Sequence, residues 1–205
     1  MNYDSIIFDM DGTLWNTEKQ VCAAWNKVLE DAGHPKRVSE DEIKKYMGLP
    51  MNEIGMKLFK TDNYDEVAEL FGKCMDYENR YIAACGGVLY QDLIRVLREL
   101  SERVPLYIVS NCQSGYIEAF FEAHKTAEYF RDYLCYGDTG QLKDRNIRTI
   151  IKRNNLVNPV YVGDTQGDAD AAAAAGVDFV WASYGFGKAD GYVRKIDSFP
   201  DILTL

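Results

Sequence analysis

The sequence predicts an α/β protein: a Rossmann-like, doubly wound, mostly parallel sheet carrying an inserted all-helical cap. Three observations support this. Short apolar runs without clean alternation recur along the chain, as strands covered on both faces require. Amphipathic helical patterns separate them. Between the first and second core runs lies a stretch of about 65–70 residues with helical patterns only, which breaks the alternation and marks an insertion.

In chain order, the first strand is expected at residues 5–8, Ser5-Ile6-Ile7-Phe8. No strand pattern is found from residue 17 to 84. Helices are expected around Ala23, Ala24, Lys27, Val28 and Glu30, then over 40–47, 51–59 and 65–82. Breaks fall at Gly33-His34-Pro35, Gly48-Leu49-Pro50 and Lys60-Thr61-Asp62-Asn63. The predicted division is a core of residues 1–15 and 85–205 and a cap of 16–84. Residues 88–103 read as one helix with Leu89, Leu93, Val96, Leu97 and Leu100 on one face. Further strands are expected at 106–109, 160–162 and 179–182, with a less regular one at 133–136. Helices are expected at 116–124 and at 146–154, the latter with Ile147, Ile150 and Ile151 inward. Residues 169–175 form an alanine-rich helix able to lie close to a sheet, with Gly176 at its C-cap.

Composition narrows the function. The 205 residues are 47% hydrophobic and 27% charged, enough to bury a sizeable core. Thirty-two acidic residues against 23 basic ones give a net charge of -9, which opposes non-specific binding to nucleic acid or an anionic membrane. Neither is expected as a partner. The five cysteines, Cys22, Cys74, Cys85, Cys112 and Cys135, form no C-x-x-C pair, so reduced thiols are expected. Met1-Asn2-Tyr3-Asp4 lacks a basic leader, and no apolar run approaches the roughly 20 residues of a membrane helix. A cytoplasmic protein is the expectation.

The informative acids sit at strand ends. The first strand runs directly into Asp9-Met10-Asp11-Gly12-Thr13-Leu14. In an extended chain Asp9 and Asp11 project to the same side and Met10 away. The strand at 160–162 likewise runs into Gly163-Asp164-Thr165-Gln166-Gly167-Asp168. In an open parallel sheet these ends form the ligand crevice. Clustered carboxylates repel unless a hard cation sits among them; Mg²⁺ suits oxygen ligands and leaves room for a phosphate. The strand at 106–109 ends in Ser110-Asn111, and Lys143 opens the helix before the 160–162 strand. Together these groups suit phosphoryl transfer.

These four stretches resemble, in order and spacing, the motifs of the haloacid dehalogenase superfamily. The resemblance extends over nearly the whole chain, since Ala172-Ala173-Ala174-Ala175-Gly176 and Tyr184-Gly185-Phe186-Gly187 are also similar to segments after its last acidic motif. The helical insertion resembles that of phosphoglycolate phosphatase-like and β-phosphoglucomutase-like members. The resemblance implies Asp9 as nucleophile and Asp11 as the acid and base. It implies Mg²⁺ held by Asp9, the Asp11 backbone carbonyl and Asp164, with Asp168 a ligand directly or through water. Ser110, Asn111 and Lys143 would hold the phosphoryl oxygens. Asp11 favours phosphate ester hydrolysis over dehalogenation, because breaking a carbon–halogen bond needs no proton for the leaving group. One departure from the family pattern is Asp144-Arg145-Asn146 after Lys143, where relatives often carry Pro-x-Pro.

The expected activity is thus a Mg²⁺-dependent phosphatase of a small phosphorylated metabolite. A β-phosphoglucomutase-like phosphomutase and a non-catalytic phospho-acceptor are the alternatives. Trp15, Asn16, Glu18 and the Gly48-Leu49-Pro50-Met51 loop are the expected cap contacts to substrate. His34 and His124 lack partners at metal spacing and receive no role.

Overall fold

The computed structural model describes residues 3–205. Strand β1 (Ser5–Phe8) is followed by a two-residue strand β2 (Trp15–Asn16) and four helices: α1 (Glu18–Asp31), α2 (Glu40–Tyr46), α3 (Met51–Phe59) and α4 (Ala68–Cys85). The chain continues through β3 (Val88–Leu89), α5 (Leu93–Ser101), β4 (Leu106–Ser110), α6 (Tyr116–His124), β5 (Phe130–Cys135) and α7 (Tyr136–Thr139). It ends with α8 (Lys143–Asn154), β6 (Pro159–Gly163), α9 (Gln166–Ala175), β7 (Asp178–Ala182), β8 (Arg194–Ile196) and a 3-10 helix at Phe199–Thr204.

Six strands form one sheet in the order β5-β4-β1-β6-β7-β8, and every pairing in it is parallel. Alternate side chains enter two separate apolar clusters. Ile6, Phe8, Leu106, Ile108, Val160 and Val162 join the cluster containing Leu93, Val96, Leu97 and Leu100 of α5 and Phe120 of α6. Ile7, Tyr107, Val109 and Tyr161 join the other, with Ile147 and Ile150 of α8 and Ala169 and Ala172 of α9. This is why the strands read as continuous apolar runs: both faces are covered. Gly176 caps α9 in the left-handed conformation, as its place after the alanine run predicts.

The chain reverses its direction of winding at β1, which lies between β4 and β6. The carboxyl ends of those three strands therefore border the crevice where such sheets bind ligands.

Some expected elements differ from the observed ones. Residues 88–103 do not form one helix: Val88 and Leu89 pair antiparallel with Asn16 and Trp15, and α5 begins only at Leu93. Gly87 lies against Trp15 and Thr17, where a side chain would clash, so this ribbon is tight at the stem of the insertion. The irregular strand is Phe130–Cys135, and Tyr136 already starts α7. The edge strand β8 is too short and polar to show a period in sequence. The 16/84 boundaries cut through β2 and the last turn of α4. Among the described residues, no helix is long and apolar enough to cross a membrane.

Candidate active site

Asp9 follows β1 directly, and its backbone N–H donates to Val162 O of β6. Its carboxylate meets Lys143, the first residue of α8, with Nζ 2.8 Å from Asp9 Oδ1. The same ammonium lies 2.6 Å from Asp168 Oδ1. All three side chains are buried. Asp144 does not weaken this arrangement, because its carboxylate turns outward to Arg148 at 3.6 Å.

Asp11 lies beyond the end of the strand at Phe8, and its Oδ1 accepts from Thr17 Oγ1 (2.8 Å) and from the Tyr116 hydroxyl of α6 (2.7 Å). Met10 behaves as expected and is fully buried in the opposite apolar cluster. Gly12 turns the chain at φ +83°, and a Cβ there would fall 2.2 Å from Asp164 Oδ2. Only glycine allows the first acidic loop to approach the second this closely.

Asp164, at the end of β6, is fully buried. Its Oδ2 accepts from Phe186 N at 2.7 Å, while Oδ1 has no hydrogen-bond partner. Asp168 has no such spare capacity. Its Oδ2 accepts from Thr165 N (2.9 Å), Thr165 Oγ1 (2.7 Å) and Asp164 N (3.2 Å), closing a capping box on α9, and its Oδ1 holds Lys143. Ser110 and Asn111 end β4. Ser110 Oγ accepts from Cys112 N at 3.3 Å. Asn111 Nδ2 donates to Gly48 O of the α2–α3 loop at 2.9 Å, tying the insertion to the sheet, and its Oδ1 is buried without a partner.

Asp9, Asp11, Ser110 and Asn111 line one small cavity of about 40 Å³, closed over by Gly48, Leu49 and Met51 of the loop and by Val21, Trp25 and Glu78 of α1 and α4. Trp15, Asn16 and Glu18 do not line it. Trp15 is fully buried against Tyr116 and Phe120, and Asn16 and Glu18 bond to each other at the start of α1. Glu78 and Gln113, by contrast, line the cavity although nothing in the sequence singles them out.

The sequence profile of the haloacid dehalogenase-like hydrolases matches residues 6–182. The chain belongs to that family. Among curated relatives of this hydrolase, a phosphoglycolate phosphatase from Aliivibrio fischeri is 26% identical, covering 97% of this chain and 91% of that one. Another from Aquifex aeolicus is also 26% identical, over 92% and 88%. A haloacid dehalogenase-like family hydrolase from Streptococcus pneumoniae shares the fold at a TM-score of 0.83 and 20% identity, over 98% of this chain and 97% of that one. So does CbbY from Rhodobacter sphaeroides, solved with xylulose-(1,5)bisphosphate, at a TM-score of 0.83 and 18% identity, over 97% and 96%.

The donor set of this hydrolase fits a divalent cation. Oxygens of Asp9, Asp164 and Asp168 lie within 4.8 Å of one another, and all three residues are buried. Three carboxylates against the one ammonium of Lys143 leave an excess of negative charge in a buried site, and among the described residues Asp164 Oδ1 is a buried acceptor without a hydrogen-bond partner. Burial pushes the Asp9 carboxyl up to about 7, against the opposing pull of Lys143, and raises Asp164 well above the usual carboxylate range. For Lys143, burial favours the neutral amine, but Asp168 and Asp9 outweigh it and hold the ammonium form.

A carboxyl whose pKa is higher folded than unfolded binds its proton more tightly in the native state, so stability falls as pH rises between the two values. In chelator, the protein is therefore expected to lose of the order of a few kcal/mol between about pH 4 and pH 7 as Asp9 ionises. Saturating Mg²⁺ should flatten that slope. Thermal unfolding across pH with and without the cation measures both, and a slope unchanged by Mg²⁺ would contradict a cation among these carboxylates.

Proposed function

We propose that this hydrolase is a Mg²⁺-dependent phosphatase of small phosphate monoesters, working through an aspartyl-phosphate at Asp9. The observation that carries the reading is that Asp9, Asp11 and Ser110 line one cavity while a buried lysine holds Asp9 in place. Asp9 attacks phosphorus as Asp11 gives its proton to the departing alcohol oxygen. Asp11, now a carboxylate, takes a proton from the water that attacks the phospho-aspartate, regenerating Asp9 and releasing inorganic phosphate. Burial raises Asp11 to about 6 although Tyr116 and Thr17 hydrogen-bond its carboxylate, which suits a group that must both give and take a proton near neutrality. Ser110 and the amides after β4 receive phosphoryl oxygens, and Lys143 offsets their charge. Asp9 and Asp164 are the side chains that would hold Mg²⁺, with the Asp11 carbonyl. The cation would supply charge neutralisation for the attack of one anion on another. Asp168, with both oxygens committed, positions Lys143 and the turn after β6.

The helices between β2 and β3 act as a cap, with residues 16–84 as the cap and 1–15 with 85–205 as the core. Five unpaired cysteines agree with a reducing, cytoplasmic setting. A phosphomutase must grip a second anionic group while the substrate turns, and no basic side chain lines the cavity among the described residues. A phospho-acceptor has no leaving group for Asp11 to protonate.

Release of inorganic phosphate from p-nitrophenyl phosphate, with Mg²⁺ and with EDTA, tests the reading; a stoichiometric, non-turning-over phosphoprotein would refute it. Asp11→Asn is expected to lower turnover about a hundredfold or more while leaving Mg²⁺ affinity within about threefold, since its carboxylate bonds Thr17 and Tyr116 rather than the cation site. Calorimetric titration of Mg²⁺ beside steady-state kinetics separates the two effects.

A further inference from the structure

Glu78 is the group in the cavity that the hydrolytic chemistry does not use. It lies on α4, is only 2% exposed, and lines the same cavity as Asp9, Asp11 and Ser110. Its Oε2 accepts from the Trp25 indole Nε1 of α1. No lysine, arginine or histidine accompanies it in the cavity wall among the described residues; its neighbours there include Val21, Trp25 and Ile54. Burial pushes its carboxyl up to about 8.

Glu78 is fixed to the core as well as to its own helix. The adjacent Asn79 donates from Nδ2 to Ser114 O at 2.8 Å and accepts from Gln113 Nε2 at 3.0 Å, both on the loop that follows Ser110 at the end of β4. A buried polar group held this firmly on a cavity wall contributes specificity through whatever it hydrogen-bonds, because a ligand without a matching group leaves it unsatisfied.

From the placement of Glu78 and the absence of a basic partner we infer that the leaving group of the substrate ends in an uncharged hydroxyl that hydrogen-bonds Glu78, and that esters ending in a carboxylate or a second phosphate are poor substrates. The inference rests on the phosphatase reading and narrows it. An anionic end would be stripped of water beside a carboxyl, with no cationic side chain in the cavity wall among the described residues to meet it. A hydroxyl can donate to Glu78 and also accept from its protonated form. The preference thus runs against the acid-bearing ester in the names of the curated relatives.

The experiment compares kcat/KM for ω-hydroxyalkyl phosphates of two and three carbons, the alkyl phosphates with methyl in place of the hydroxyl, 2-aminoethyl phosphate, and phosphoglycolate. The wild-type enzyme is expected to favour the better hydroxyalkyl ester by at least about tenfold over its methyl counterpart and over phosphoglycolate. Glu78→Met should erase the difference between hydroxyl and methyl esters, mainly through KM; Glu78→Gln, which keeps the hydrogen bond, should retain most of it. Phosphoglycolate or 2-aminoethyl phosphate turned over as fast as the hydroxyalkyl esters by wild type would overturn the inference without any variant. So would a hydroxyl preference that survives Glu78→Met. No phosphate release from any ester, p-nitrophenyl phosphate included, would instead refute the phosphatase reading itself.

Discussion

Asp9→Asn is expected to lower phosphate release by at least about a thousandfold, because the amide has no carboxylate oxygen with which to form the phospho-enzyme. The loss should appear in kcat, and no choice of substrate should restore it. Folding should not suffer. In the wild-type protein burial penalises ionised Asp9, raising it to about 7, so a neutral amide of nearly the same shape removes that penalty while its oxygen still accepts from Lys143. In chelator the variant should therefore melt at or above the wild-type temperature near pH 7, and part of the pH dependence described above should disappear. Steady-state kinetics beside thermal unfolding checks both halves. Residual turnover within tenfold of wild type would remove Asp9 as nucleophile; a collapse of the fold would mean that the carboxylate is structural.

Lys143→Ala has the opposite balance. The ammonium bridges Asp9 and Asp168 at 2.8 and 2.6 Å inside a dry site, so its removal strands buried negative charge. Breaking such a pair from one side typically costs about 3–5 kcal/mol. The cost should be smaller at pH 5 than at pH 8, since Asp9 takes up a proton more readily once Lys143 no longer opposes it. Activity should fall as well, by about a hundredfold or more, because Asp9 loses its orientation and the phosphoryl group loses a positive partner. Urea unfolding at the two pH values, with Mg²⁺ absent, gives the stability change directly. Equal stability of variant and wild type at pH 8 would show that Lys143 does not carry the charge balance assigned to it.

Much of the site was legible because its chemistry is local in sequence. Asp9 and Asp11 follow an apolar run that ends in a glycine turn, and Asp164 and Asp168 follow another, so their place at strand ends needs only the rule that both-face-buried strands are continuous apolar runs. The family resemblance supplied the roles and the order of the four motifs. Lys143 was weaker, since a lysine beside an aspartate reads equally well as a solvated helix start. Its burial between two carboxylates comes from α8 crossing back to β1, a contact 134 residues apart. Asp9 and Asp11 line the same cavity, and Thr17 and Tyr116 hold the Asp11 carboxylate there through hydrogen bonds from distant positions that no local pattern specifies.

Glu78 was invisible. On α4 it is one of several acids among alternating polar residues, and an isolated helix gives no sign of which acid faces water and which faces a cavity. Likewise Val88 and Leu89 carry a helical spacing with Val96 and Leu100, yet pairing with Trp15 and Asn16 claims them first.

The sequence by itself determined the layered α/β architecture, the helical insertion and the acidic strand ends, because these depend on periodicity and on residues adjacent in the chain. The tertiary structure alone decided which lysine meets which carboxylate, that Asp168 bonds both Lys143 and the turn after β6, and that a buried glutamate joins the wall of the cavity. Those are properties of groups brought together from distant positions, where burial and charge pairing are set by neighbours that no local pattern specifies.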